Sequence, residues 1–220
     1  FNKKFNTKAY KIKHKLSTQV AARKLRYQWF DEVCAGHSFD YLATAHHLDD
    51  DLETFLINLS RGTGLKGLTG IPVMNDKIIR PFLNFPRADI LYYAKEKNST
   101  WREDSSNQTT DYLRNKLRIE VIPRLKEVDL NLLNGFQQTQ KNLNESASLV
   151  NDYMALIKNL IVNKTDEGFE IDIFKLQELP NTNALLYELL APFGFTAWND
   201  ISNLLVAQSG KQIFSETHRI

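Results

Sequence analysis

A chain of 220 residues with 42% hydrophobic and 25% charged residues holds enough apolar material for one large domain or two modest ones, each with a core. No apolar run approaches the roughly 20 residues that cross a bilayer, which excludes a helical membrane span, and a single cysteine, Cys34, excludes an internal disulfide and a cysteine-held cluster. A formal net charge of +2 is too small to announce nucleic-acid binding by itself, and the lone thiol makes the cytoplasm the expected compartment.

Residues 1–14 carry charge throughout and begin without methionine, so they read as neither a signal peptide nor a targeting helix, and the chain is expected to start inside a domain. Ser17 or Thr18 then caps an amphipathic helix over 16–33, with Val20, Ala21, Leu25, Trp29 and Val33 at helical spacing. "FDYLATA" reads as a short buried parallel strand, and Leu52, Phe55, Leu56 and Leu59 mark a helix with an acidic first turn. Strand, tight turn and helix form the unit of a doubly wound sheet, whose ligands gather beyond the carboxyl ends of strands, the place expected for His46 and His47.

Gly62, Gly64, Gly67 and Gly70 crowd the next loop, which Pro72 follows. "DKIIRPFL" predicts a strand, "PRADILYYAKEKN" a helix with Pro86 near its start, and "DYLRNKLRIEVIPRL" a helix stopped near Pro123. Phe136, Leu143, Ala147, Val150, Met154, Ile157 and Ile161 mark one long helix beyond it. "GFEIDIF" alternates as a strand, helical stretches follow around "ALLYELLAPFGF" and "WNDISNLLVAQ", and "GKQIFSETHRI" starts a further strand.

Asp50 and Glu53 stand three apart, so their carboxylates project from one helix face and could receive an ammonium or hold Mg²⁺. The plainer reading is that Asp49, Asp50 and Asp51 offset the positive helix end, at about 0.3 to 1 kcal/mol apiece. For His46 and His47 the plainer reading is simple hydrogen bonding at a strand end; no third ligand stands at a zinc-like spacing. "RGTGLKGLTG" could offer backbone N–H groups to phosphate, with Arg61 and Lys66 adding charge, or could be glycine capping; it matches neither the Walker nor the Rossmann pattern. Arg114 and Arg118 share a helix face beside Asn115, a fit to phosphate or carboxylate; the alternative is a solvated face with Arg114 paired to Asp111. Trp101 could stack on a base or sit in the core.

Taken in order, "ATAHHLDDDLETF", "RGTGLKGLTGI", "IIRPFLNFPRADI", "WREDSSN" and "YLRNKLRIEVIPRL" resemble the tRNA(Ile)-lysidine synthetase family of PP-loop ATP pyrophosphatases. The similarity covers essentially the whole chain and is firmest over 7–128. It implies an α/β fold: a doubly wound parallel sheet over 1–126, a linker helix over 127–165 and a small α+β tRNA-binding domain over 166–220. It also implies adenylation of the wobble cytidine C2 oxygen of a tRNA(Ile) with a CAU anticodon, using ATP and Mg²⁺. The ε-amine of free L-lysine then displaces AMP to give lysidine.

On this chain the resemblance places His46 near the ATP phosphates and the adenylated base, and Asp50 and Glu53 at the lysine amine, with Asp50 also assisting the metal. Arg61, Gly62 and Gly64 would shape the nucleotide and cytidine pocket. Arg80, Arg87, Arg114, Asn115 and Arg118 would meet phosphates or the anticodon loop, with Arg114 counted among the catalytic residues, and Asp104, Ser106 and Asn107 would order the loop presenting them. The family's SGGxDS phosphate loop has no counterpart string here, so a chain missing its first strand is expected, with a non-catalytic tRNA-binding fragment or another PP-loop tRNA-modifying enzyme as alternatives. No membrane partner is expected, and a homodimer is left open.

Overall fold

A computed structural model describes residues 1–101, 113–166 and 168–220, which divide into two units, Phe1–Leu143 and Asn144–Ile220. In the first unit, α1 (Thr7–His14) starts where the Asn6 side chain accepts the Ala9 N–H at 3.0 Å. Helix α2 (Thr18–His37) starts likewise at Ser17 and runs past the expected end to Ser38, whose left-handed backbone stops it.

Three two-residue strands follow: β1 (Leu42–Ala43), β2 (Met74–Asn75) and β3 (Ile78–Ile79), in the order β1-β3-β2. The run expected as a buried strand over "FDYLATA" narrows to β1, which is half-buried at Leu42 and exposed at Ala43. Strands β1 and β3 pair in parallel, Leu42 opposite Ile78, whereas β2 pairs antiparallel with β3. The described sheet is therefore mixed. Only Asp76 and Lys77 separate β2 from β3, and so short a connection can make a hairpin but not a parallel crossover.

Helix α3 (Leu48–Ser60) leaves the strand end, and the glycine loop contains a single helical turn, α4 (Leu65–Leu68), before α5 (Arg87–Glu96). Beyond the undescribed segment, α6 (Leu113–Lys116) passes through a π-helical turn, Leu117–Val121, into α7 (Ile122–Val128). The helix expected to stop near Pro123 continues because the turn widens first. Ile122 N–H bonds to the carbonyl of Leu117, five residues back, and Pro123 enters at the start of α7, where no N–H is required. Leu48, Leu52, Ile122 and Phe136 form the unit's core, with Phe55 edge-on to Phe136 at 5.4 Å between ring centres. Phe136 belongs to α8 (Leu132–Ile161), a helix of 30 residues within which the division between the units falls.

In the second unit Met154, Ile157 and Ile161 of α8 pack with Leu176 of α9 (Ile173–Glu178) and Leu185, Leu186, Leu189 and Leu190 of α10 (Thr182–Leu190). Phe195 and Ile201, the latter on α11 (Trp198–Leu204), complete this core. Strands β4 (Val162–Thr165) and β5 (Gly168–Ile171) make an antiparallel hairpin. The strand expected through "GFEIDIF" ends at Ile171, because the Asp172 carboxylate accepts the Lys175 N–H and nucleates α9. Ile213 and Ile220 exchange backbone hydrogen bonds at 2.8 and 3.0 Å, closing a short terminal hairpin. Among the described residues no helix is long and apolar enough to cross a membrane.

Candidate active site

Helix α3 begins with a reciprocal cap. His47 Nδ1 accepts the Asp50 N–H at 3.3 Å, and Asp50 Oδ2 accepts the His47 N–H at 3.1 Å. This fixes the Asp50 carboxylate at the strand end and leaves its Oδ1 directed elsewhere. Leu48 and Leu52 go into the core, which turns Asp50 and Glu53 together toward the helix that carries Arg114 and Arg118.

Arg118 closes the site. Its Nε donates to Glu53 Oε1 at 2.5 Å, and one terminal nitrogen donates to Glu53 Oε2 and Asp50 Oδ1, each at 2.8 Å. Glu53 is 1% exposed, so a two-point guanidinium pair is what makes its charge tolerable there. Burial pushes the Glu53 carboxyl above its ordinary value while Arg118 pulls it back, and the hydrogen bond to Glu53 holds the guanidinium firmly charged. Arg114 completes the group: a terminal nitrogen donates to Thr54 Oγ1 at 2.7 Å, and its Nε lies 3.9 Å from Glu53 Oε2. Thr54 in turn donates to the Asp50 carbonyl at 2.9 Å.

The neighbouring aspartates have other tasks. Asp49 Oδ2 accepts the Arg87 N–H at 2.8 Å, tying α5 to α3, and Oδ1 takes the Lys126 ammonium from α7. Burial alone would raise this carboxyl, but the Arg87 N–H and Lys126 outweigh it and hold it below the usual range. Asp51 Oδ1 accepts the Ile71 N–H at 2.5 Å and latches the glycine loop. Burial, with only that N–H opposing it, pushes its carboxyl up to about 6. Each of the three aspartates at this helix start thus has partners of its own, more than a helix dipole would require.

His46 is held by Thr44 Oγ1 at 2.9 Å from Nδ1, and burial lowers its pKa, with Asp50 opposing and Arg80 reinforcing the shift. The site thus favours the neutral imidazole. Arg80 is buried, donates to the Pro72 carbonyl at 2.6 Å, and has an Nε without a hydrogen-bond partner among the described residues.

The site residues expected from sequence therefore separate. Asp50, Glu53, Arg114 and Arg118 converge, and His46 feels the charges of Asp50, Arg80 and Arg114. Arg87 takes part through its backbone, its side chain being exposed. Asn115 is half-buried on α6 beside Arg114. Arg61 is exposed at the far end of α3, about 16 Å along the axis from Asp50 at 1.5 Å per residue, and Gly62 and Gly64 follow it. Gly62 has φ +70°, a left-handed turn that suits glycine. Trp101 is exposed, whereas Asp104, Ser106, Asn107 and Asp111 lie outside the described residues. Sequence reasoning missed Thr54 and Lys126; it also missed the capping role of His47, whose signal was the His-x-x-Asp spacing. Among the described residues no three His, Cys, Asp or Glu side chains gather as a metal cage.

A family model described as a PP-loop domain matches residues 2–125, and one described as a TilS substrate binding domain matches 164–220. A tRNA(Ile)-lysidine synthase of Bacteroides thetaiotaomicron is 38% identical over 221 residues, covering 98% of this chain and 50% of that protein. The Porphyromonas gingivalis protein of the same name is 36% identical over 98% of this chain and 47% of its own length. The Bacillus subtilis one is 39% identical over 80% of this chain and 38% of its own length. The chain thus spans about half the length of the first of these relatives.

Proposed function

Because the chain belongs to the tRNA(Ile)-lysidine synthase family of PP-loop proteins, we propose that it carries the lysine-handling part of an enzyme that makes lysidine at the wobble cytidine of tRNA(Ile) with a CAU anticodon. An α/β PP-loop fold and the use of ATP go with that family. The β1–β3 pair is then one parallel step of the proposed doubly wound sheet. The proposed division is a catalytic domain over 1–126, a linker helix over 127–165 and a tRNA-binding domain over 166–220, in the cytoplasm.

The observation that carries the reading is the Asp50–Glu53 pair, two carboxylates on one helix face already bridged by a cation. A lysine ε-ammonium is a cation of the same charge and must lose a proton before its nitrogen can attack. Glu53, whose affinity for a proton is raised by burial, is suited to take that proton, while Asp50 orients the amine. The attack breaks the bond between the cytosine C2 carbon and the adenylate oxygen, releases AMP and forms the C–N bond of lysidine. His46, favoured in its neutral form, and buried Arg80, whose Nε has no partner among the described residues, fit the anionic end of the site, where phosphate charge has to be met. Magnesium is proposed as the companion of the nucleotide phosphates. With the His47 N–H on Oδ2 and Arg118 on Oδ1, Asp50 would have an oxygen for the ion or for the amine only when Arg118 is displaced.

The test is ATP-dependent incorporation of labelled lysine into unmodified tRNA(Ile), scored after an alkaline wash that removes aminoacyl esters. Asp50→Asn and Glu53→Gln are expected to lower the rate about 10²-fold or more, the span of a lost acid–base group. Undiminished incorporation in both variants would overturn the assignment.

A further inference from the structure

We propose that Arg118 is a built-in stand-in for the substrate cation, occupying the lysine-ammonium site until a phosphate oxyanion draws it away, so that lysine binds after the polyanionic substrates. This rests on the reading of Asp50 and Glu53 given above.

All four carboxylate oxygens are engaged. Asp50 Oδ2 receives the His47 N–H, Asp50 Oδ1 and Glu53 Oε2 share one Arg118 nitrogen, and Glu53 Oε1 takes Arg118 Nε. Glu53 is 1% exposed under a guanidinium whose side chain is 33% exposed, so solvent and substrate meet Arg118 before they meet Glu53. Two negative charges face Arg118 and, at 3.9 Å, Arg114, leaving no net charge to attract a further cation. An ammonium entering this arrangement has to displace a two-point ion pair.

Arg118 is well placed to leave. It rides on the π-helical turn Leu117–Val121, a wider winding that occurs often at functional sites and can relax to α geometry. Such a relaxation turns the side chains on one side of it relative to the other by about 100°, one residue's share of a 3.6-residue turn. A guanidinium also pairs with phosphate in the two-point geometry it uses with Glu53. Once it goes, Glu53 loses the partner that pulls its carboxyl down, and its capacity to accept the lysine proton rises. One movement thus vacates the site and strengthens the base. Arg118 is accordingly a positioning residue acting through Glu53 and Asp50.

The experiment measures the Kd of L-lysine by equilibrium dialysis with the full protein, alone, with an uncleavable ATP analogue, with unmodified tRNA(Ile), and with both. For the unaltered protein lysine affinity is expected to rise at least tenfold when phosphate is supplied. The arm that produces the rise tells whether the triphosphate or the tRNA backbone is the source. Arg118→Gln should bind lysine without phosphate at least tenfold more tightly than the unaltered protein does, and gain little when phosphate is added. Arg118→Lys, which keeps a cation in the site, should retain the dependence. Equal lysine affinity in all four states, alongside lysine incorporation, would overturn the gate and leave the synthase reading standing, whereas no lysine binding in any state would overturn both. Loss of lysine binding by both variants in every state, with helical content intact, would reduce Arg118 to a structural tie and overturn the proposal. If Arg118→Gln fails to fold, the four states of the unaltered protein and of Arg118→Lys decide.

Discussion

Asp49 and Asp51 sit two residues apart at the start of α3, and their environments pull them in opposite directions. Asp51 keeps its proton to about pH 6 when folded, against 3.8 as the ordinary value. Below 3.8 both states are protonated; between 3.8 and 6 the unfolded chain ionises first, so stability falls as pH rises through that window. Above it, ionised Asp51 costs the fold roughly 3 kcal/mol at 1.36 kcal/mol per pH unit. Asp51→Asn keeps an oxygen for the Ile71 N–H and sheds the charge. Urea unfolding is expected to show the variant gaining on the unaltered protein as pH rises from 4 to 6.5, by up to about that amount. Asp49 has the reverse sign: held low by the Arg87 N–H and Lys126, its contribution is present above pH 4 and lost on acidification, so Asp49→Asn should destabilise at neutral pH, by about 1 to 3 kcal/mol, and much less at low pH. The sequence let the acidic cluster be seen because Asp49, Asp50, Asp51 and Glu53 lie on one short segment. It could not distribute their tasks, because the deciding partners, Arg87, Ile71 and Arg118, stand 20 to 68 residues away and are brought near by tertiary packing.

At the scale of elements, the glycine loop illustrates what sequence spacing can and cannot convey. The four clustered glycines divide between a helical turn that Gly64 precedes and Gly67 lies within, and left-handed corners at Gly62 and Gly70. At Gly70, φ is +72° and a Cβ would stand 2.3 Å from Asp51 Oδ1, the atom that latches the loop. Gly70→Ala therefore meets two costs, about 1 to 2 kcal/mol for the left-handed conformation and the displacement of a buried hydrogen bond. A loss of 2 kcal/mol or more in denaturant unfolding is expected. In the background of Asp51→Ala the same substitution should cost less, since the clash is gone. The helices were legible where caps and periodicity agreed, as at Ser17 and α2. The strands were less so, because a two-residue pair such as β1–β3 is defined by its partner and leaves little alternation in its own sequence. Pro123 misled for a related reason: the π turn that accommodates it has no signature in composition.

Across the whole molecule the apolar residues settle into two cores with no shared member, one around Leu48, Leu52, Ile122 and Phe136 and the other around Ile161, Leu176, Leu190 and Ile201. In the sequence, the periodicity of the long helix gave no indication that the units would divide inside it. Separate cores make separate cooperative units when few contacts tie them. Leu176 is fully buried in the second core, so Leu176→Ala should leave a cavity costing about 2 to 5 kcal/mol. If each core melts by itself, scanning calorimetry should show one transition moving down by several degrees while the other stays fixed, and Leu52→Ala should move the one that Leu176→Ala left in place. Lysine binding offers a second reading of the same pair, because the Asp50–Glu53 carboxylates are anchored by Leu48 and Leu52 and owe nothing to Leu176. Near the midpoint of the transition that Leu52→Ala displaces, that variant should therefore lose the lysine affinity proposed for this site, and Leu176→Ala should keep it. A single transition displaced equally by both substitutions would mean that α8 transmits stability along its 30 residues and that the two cores fold as one.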